Sequence, residues 1–307
     1  MEETGTLETQ TCNLDIQTRN LLAESSLLME EWSRTKCKAK PKGGMEEWAK
    51  DQRVDESANC NWYHGTWQYL RLLDMVAVPG WHSDFYRESL GSILRNKPEA
   101  NVLISAAADY GMLATLHDAI ESVDAEPNIV IYDICETPLA SCQWYADRHR
   151  LTIKTCCGDL ITGTIPEAPF DLIVTDEFLT VLKSEYKPLI LKRWRELLRP
   201  GGAVVTVAMN GDVTTPALRR GYAERAKRLL ENRNGDYLPS LKNGNKAALA
   251  RRFTTFASHH TRHMIVDHNE IHGLFSEFDD LSLRRITTPG ECVNPTDSFQ
   301  IVASLSA

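Results

Sequence analysis

Two features of the chain could do chemistry together. The apolar run NVLI (101–104) leads into the small residues Ser105, Ala106, Ala107 and Ala108, then Asp109 and Gly111. The apolar run NIVIY (128–132) ends on Asp133. A strand that turns through small residues into a helix presents free backbone N–H groups at the helix start. A second strand ending on an acid sets a carboxylate beside them, where it can take both hydroxyls of a ribose. Residues 101–133 therefore read as a β-α-β unit for an adenosine-type ligand. Three alanines occupy positions where such turns use glycine. Alanine costs little there if φ stays negative, but it keeps the backbone further from a ligand.

Further residues extend the site. Trp62, Tyr63, His64, Trp67, Tyr69, Trp81, His82, Phe85 and Tyr86 form a dense aromatic block just before the β-α-β unit. Aromatic faces stabilise cations by about 0.5–2 kcal/mol each when desolvated, so this block suits a lid over a cationic ligand. His259, His260, His263, His268 and His272 crowd together near the other end. The HHxxH spacing places His259 and His263 on one face of a helix. No acid or cysteine in the same turns completes a metal set, so a base or substrate contact is expected from these two, and no metal site. The eight cysteines form no CxxC pair. Cys156-Cys157 is vicinal within a strand.

The elements that must position these groups alternate cleanly. Strands are expected at 101–106, 128–132, 151–156, 170–175 and 202–208. Helices are expected at 110–121, 137–148, 179–183 with 187–198, and 212–232. Continuous apolar strands each followed by a helix imply a parallel sheet covered on both faces. RPGG (199–202) stops a helix and turns into a strand. Asp267 with Glu270 forms a capping box for a helix over 267–278, and the strands 281–289 and 298–306 close the chain as a hairpin-like pair. Upstream, 14–34 reads as an amphipathic helix, 36–61 as a charged, mobile connection, and 62–96 as helical with a break at Pro79-Gly80.

Net charge is −8 over 307 residues, and the basic runs are short, which argues against a general grip on nucleic acid. No stretch approaches the roughly 20 apolar residues of a membrane span. The acidic, polar start MEETGTLETQ is not a signal sequence, so a cytoplasmic location with reduced cysteines is expected.

NVLISAAADYGML, IVIYD, TCCGDL, FDLIVTDEFLTVL and LLRPGGAVVTVA, in that order, resemble the motifs of class I S-adenosylmethionine-dependent methyltransferases. The likeness covers about 100–210 well and 267–307 moderately. It implies a seven-stranded, mostly parallel, doubly wound α/β sheet with a reversed last strand. An N-terminal helical lid (1–98), a cofactor core (99–210), a helical insertion (211–266) and a completing helix and strand pair (267–307) would make up the chain. It implies S-adenosylmethionine as methyl donor and S-adenosylhomocysteine as product. The cofactor residues implied are Ser105, Ala106, Asp109, Gly111, Asp133, Ile134, Asp159, Leu160 and Thr175. Asp109 stands in for the acid that the family usually carries near Ile104 or Ser105. Asp176, His259 and His263 are the candidate catalytic groups. Tyr63, His64, Trp67, Arg71, Trp81, Tyr86 and Glu177 are candidate substrate contacts, with Arg71, Arg19 or Tyr86 suited to an acceptor carboxylate. The expected acceptor is a nitrogen or thioether sulfur of a small amino-acid-like compound, for example methionine. O-methylation of a natural product and a non-catalytic partner role are the alternatives. A monomer or homodimer acting on a small molecule is expected.

Overall fold

The computed structural model describes residues 16–37, 60–232, 246–288 and 296–307. Apart from residues at their ends, the connection expected at 36–61, the turns at 232–239 and 242–245, and the loop between the last two strands lie outside the described residues.

The strands are β1 (Asn101–Ser105), β2 (Asn128–Asp133), β3 (Ile153–Cys157), β4 (Phe170–Val174), β5 (Leu198–Met209), β6 (Asp280–Thr288) and β7 (Thr296–Ser304). They form one sheet in the order β3-β2-β1-β4-β5-β7-β6. All pairings from β3 to β5 are parallel, and β7 runs antiparallel to both β5 and β6. The strand order reverses between β1 and β4, so the crevice at their carboxyl ends is the place where such a sheet takes ligands.

Period-two alternation divides the core into two layers. Val102, Ile104, Ile129, Ile131, Leu172 and Val174 face one layer of helices. That layer holds α1 (Ile16–Lys36), α2 (Asn61–Leu72), α3 (Ser83–Asn96), α4 (Gly111–Val123), α5 (Glu136–His149), α8 (Pro216–Asn232) and α9 (Lys246–His259). Leu103, Val130, Tyr132, Ile173 and Val204 face the other. There α7 (Lys187–Leu197) and α10 (His268–Leu274) pack, with the short α6 (Phe178–Val181) at the end of β4.

Local chemistry sets the helix ends. The Cys135 thiol caps α5 by accepting from the Thr137 N–H, and Asp124 and Arg150 end α4 and α5 in the left-handed region at φ 54° and 58°. Asp267 caps α10 by accepting from the Glu270 N–H, while Glu270 Oε2 takes the Val266 N–H at 2.8 Å. The expected cap by Asp267 is therefore formed, with Glu270 reaching back to the Val266 N–H in place of Asp267's own, and Glu270 also pairs at 3.2 Å with the fully buried Lys187 of α7.

The helices before the sheet dock through close backbone approach. A Cβ on Gly65 would meet Ser33 Oγ at 2.7 Å, so glycine lets α2 lie against α1. Glu30 of α1 accepts from Tyr69 of α2 at 2.7 Å and from Arg252 of α9 at 2.6 Å, which ties three helices together. Beneath the sheet crossing, Trp194 Nε1 donates to Ser105 Oγ at 2.8 Å, both side chains being fully buried.

Trp194→Phe removes this donor, leaves a buried hydroxyl unpaired and opens space in the lower layer. A loss of about 2 kcal/mol or more in unfolding free energy is expected from denaturant melts. A change below about 0.5 kcal/mol would show that the Trp194–Ser105 contact does not hold the sheet to α7.

Candidate functional site

The site is built at the carboxyl ends of β1, β2 and β4. Asp133 ends β2 with its side chain buried. Oδ2 accepts the Ala107 N–H at 2.9 Å and Oδ1 the Cys135 N–H at 2.7 Å. The carboxylate thus holds the loop after β1 and the loop after β2 in one arrangement. Each of its oxygens keeps a second lone-pair direction for a ligand hydroxyl. Burial pushes its carboxyl up to about 7, with the Cys135 thiol adding to the rise and the two N–H groups opposing it.

The turn after β1 does not keep φ negative. Ala106 sits in the left-handed region at φ 66°, and its N–H donates to the Tyr132 carbonyl at 2.9 Å. The chain therefore retains the glycine-type path with an alanine in it, at a cost of roughly 1–2 kcal/mol. Asp109 Oδ1 accepts the Gly111 N–H at 2.5 Å at the start of α4. A Cβ on Gly111 would meet that same oxygen at 2.9 Å, so the helix opens on the one residue that fits.

Some expected cofactor and substrate contacts are committed elsewhere. Ser105 points into the lower layer and binds Trp194, because alternation puts it on the face of Leu103. Its side chain is not part of the ligand edge. Arg71 donates to Asp109 Oδ2 at 2.7 Å and lies over the Tyr110 ring at 5.1 Å. The expected carboxylate clamp and the expected ammonium partner thus satisfy each other. Asp159 Oδ1 accepts the Ile161 N–H at 2.8 Å at the end of β3, and Leu160 is buried in the lower layer with half-buried Ile134 packed against it.

Past β4, Thr175, Asp176 and Glu177 follow in sequence. Tyr86 of α3, fully buried, donates to Asp176 Oδ1 at 2.7 Å and to the Thr175 carbonyl at 3.0 Å. Glu177 adopts φ 54° and accepts from Thr180 Oγ1 and from the Met209 N–H at 2.9 Å. Burial and the neighbouring Glu177 charge push Asp176 well above the usual carboxylate range, opposed by the Tyr86 hydroxyl. Burial raises Glu177 too, against Thr180, the Met209 N–H and the Arg262 charge. Thr175 Oγ1 and Glu177 Oε1 are buried with no hydrogen-bond partner among the described residues.

The aromatic block forms a wall between α2 and α9. Tyr63 stacks on Trp67 at 5.1 Å and on Phe256 at 5.5 Å, and Phe256 stacks on His260 at 4.8 Å. Burial, with the negative charges of Asp109 and Asp133, pushes the Tyr63 hydroxyl up. Trp81 is half-buried in the 3₁₀ turn Pro79–His82, whose proline lies next to Gly111.

The histidine expectation needs correction. Helix α9 ends at His259, and 260–264 lies outside any helix or strand, so His259 and His263 do not share a helical face. His259 packs on Trp62 at 5.7 Å, and the His263 N–H donates to the Thr180 carbonyl at 2.7 Å. Their neighbour His260 packs into the aromatic wall, against Phe256 and Tyr63. Burial and the charges of Arg262 and Arg219 lower His260 to about 3. Arg262 faces Glu177, and the HHTRH string offered it as the lone cation among the rings. His64, expected to touch substrate, is instead beside the thiols of Cys37, Cys60 and Cys135.

No family model matches the chain. The thiopurine S-methyltransferase of Vibrio parahaemolyticus is 25% identical over 154 residues, which are 42% of this chain and 69% of that protein. Among solved structures, the S-adenosylmethionine-dependent methyltransferase SibL in its apo form is similar with a TM-score of 0.43 and 14% identity. The match covers 83% of this chain, which spans only 60% of SibL. Human N-acetylserotonin methyltransferase in complex with S-adenosylmethionine aligns with a TM-score of 0.46 and 16% identity, over 94% of this chain and 72% of that one. The deciding observation is the sheet itself, ordered 3-2-1-4-5-7-6 with β7 alone reversed. The chain has the fold of class I S-adenosylmethionine-dependent methyltransferases.

Two properties of this edge are measurable. In Ala106→Gly, relief of the left-handed strain offsets the backbone entropy of glycine, so unfolding free energy should stay within about 0.5 kcal/mol of the parent or rise. A loss of about 1 kcal/mol, as for Ala→Gly at an ordinary position, would remove the strain argument. For Asp176 and Glu177 the folded pKa lies above the unfolded one. Their contribution is neutral below about pH 4, and stability is lost as pH rises from there through the raised folded values. Asp176→Asn keeps an acceptor for Tyr86 and removes one of the two charges. It should match the parent near pH 4 and exceed it at pH 7 by about 1 kcal/mol or more in urea melts; parallel profiles would refute the buried-pair reading.

Proposed function

We propose that the chain transfers a methyl group from S-adenosylmethionine to a sulfur or nitrogen atom of a small, uncharged acceptor. The observation that carries the reading is the Asp133 edge. A buried carboxylate, clamped by two backbone N–H groups, stands at the end of the second strand beside a left-handed turn and a helix start. That arrangement fits a ribose on Asp133 and a methionine moiety along Ala106–Gly111, with Asp159 and Ile134 toward the adenine.

S-adenosylmethionine, when bound, supplies an activated methyl group for in-line displacement. The work left to the chain is alignment, which can account for several kcal/mol of barrier. Asp176 and Glu177 lie where β4 ends, and a sulfonium neighbour would favour their ionised forms. Once ionised, a carboxylate whose pKa is raised is also the stronger base for the proton that a thiol or an amine loses. Tyr86 holds Asp176 in place for this role. The Tyr63, Trp67, Phe256 and His260 wall supplies a soft, flat surface against which an aromatic or sulfur-bearing acceptor packs.

The acceptor reading differs from the one expected from sequence. Arg71 is paired with Asp109, so the amino-acid carboxylate clamp loses its support. The Vibrio parahaemolyticus relative, named for sulfur methylation of thiopurines, favours a flat sulfur acceptor.

Calorimetric titration with S-adenosylmethionine tests the first half of this reading. Asp133→Asn keeps the size but removes the charge and replaces one of the two acceptors of the loop clamp with a donor, and affinity should fall about 10- to 100-fold. Affinity retained within threefold would remove Asp133 from the site. A panel of thiols, thioethers, amines and phenols, scored by S-adenosylhomocysteine release, tests the second half. Turnover on phenols alone would overturn the sulfur or nitrogen assignment.

A further inference from the structure

Cys37, Cys60, His64 and Cys135 bring their ligand atoms within 4.8 Å of one another. They arrive from three separate segments. Cys37 follows directly on α1, Cys60 caps the start of α2 with His64 one turn later, and Cys135 caps α5. Three of the four are buried and Cys60 is half-buried. We propose that these side chains bind one zinc ion in a closed, structural centre that fastens α1 and α2 to the ligand edge of the sheet.

The spacing carries the argument. Cys37 Sγ and Cys60 Sγ lie 3.7 Å and 3.5 Å from Cys135 Sγ. Thiolates bound to zinc at about 2.3 Å in a tetrahedron stand about 3.8 Å apart, so these separations match a single ion. They are too long for a disulfide, whose sulfurs sit about 2.05 Å apart, and a disulfide would leave the third thiol stranded. A multi-iron cluster would hold the sulfurs further apart. Cys3His is one of the standard closed donor sets for structural zinc. Four protein ligands leave no open position, so the ion is structural and not a Lewis acid for the transfer.

The surroundings fit an anionic sulfur set. Cys135 accepts from the Thr137 N–H at 3.4 Å at a helix start, where a thiolate is favoured. Thr137 Oγ1 lies 3.2 Å from Cys37 Sγ, a supporting hydrogen bond to the ligand shell. His64 Nδ1 is buried with no hydrogen-bond partner among the described residues. Binding would release three thiol protons, keep the imidazole neutral and leave a centre of net charge −1. The consequence for the site follows from Cys135. Its N–H holds Asp133 Oδ1 at 2.7 Å, so the ion would also fix the residue that orients the ribose-binding carboxylate.

The test is metal analysis of the full chain purified from zinc-supplied cells, by plasma mass spectrometry. One equivalent of zinc per chain is expected, released by a mercurial thiol reagent and replaceable by cobalt. The cobalt form should show thiolate charge-transfer bands and the visible bands of a tetrahedral ion. Cys37→Ser and Cys60→Ser should lower zinc affinity by more than the roughly tenfold cost of losing a merely supporting hydrogen bond, while Cys156→Ser retains the ion. No bound zinc in the parent chain, both as purified and after dialysis against zinc salt, would overturn the proposal. So would a thiol titration of the denatured parent that finds two thiols locked in a disulfide. Neither readout depends on methyl transfer, so the two readings fail separately.

Discussion

The carboxylate of Asp133 is the interaction on which the ligand edge depends. It is one side chain at the end of one strand, yet it receives N–H groups from the loops after both β1 and β2. Loops that leave adjacent parallel strands have no ladder to hold them. Their backbone groups need partners of another kind. A buried carboxylate is an efficient one, because each charge-assisted hydrogen bond is about twice as strong as a neutral one. The same clamp fixes the start of α4 and the start of α5 relative to each other, and those helix starts are where the free N–H groups lie.

Around that clamp the chain accepts local costs. Ala106 is held in a conformation that glycine would adopt freely, and Glu177 is left-handed as well. Asp176 and Glu177 are neighbours in burial, both raised by desolvation, and Asp176 also by the charge of Glu177. Strain and buried like charge of this kind persist where the surrounding structure over-determines them. Here the surroundings are identifiable: Tyr86 fixes Asp176 from α3, and Thr180 with Met209 fixes Glu177 from α6 and β5. The two layers of apolar side chains supply the stability that lets the edge be imperfect.

The sheet was legible because its strands are buried on both faces and read as unbroken apolar runs. Asp133 and the Asp267–Glu270 cap were legible because they are local. Ser105 was misplaced although the alternation already put it with Leu103, away from the helices of the ligand side. Arg71 and Asp109 were both visible as charged groups, but the ion pair between them spans residues far apart in the chain, and nothing local announces it. The end of α9 at His259 carries no proline or glycine stop, so HHxxH read as a continuing helix. The four-ligand cluster was hidden for the same reason as the ion pair: only Cys60 and His64 are close in sequence, and Cys37 and Cys135 come from the ends of other elements.

The distribution of charge at the edge bears on the ligand. Asp109, Asp133, Asp159, Asp176 and Glu177 all lie at the carboxyl ends of β1 to β4 or just beyond. Arg71 answers Asp109 directly, and Arg262 reaches Glu177. The remaining carboxylates are met by backbone N–H groups and a tyrosine hydroxyl, which stabilise charge without cancelling it. Burial without a positive partner pushes Asp133 and Asp176 toward their neutral forms, so a cationic ligand that restores their charge is favoured in this crevice. A sulfonium with an ammonium group is such a ligand, and its demethylated product is one positive charge poorer. The electrostatics of the edge therefore favour the donor over the product, the direction a methyl-transfer cycle needs if product is to leave.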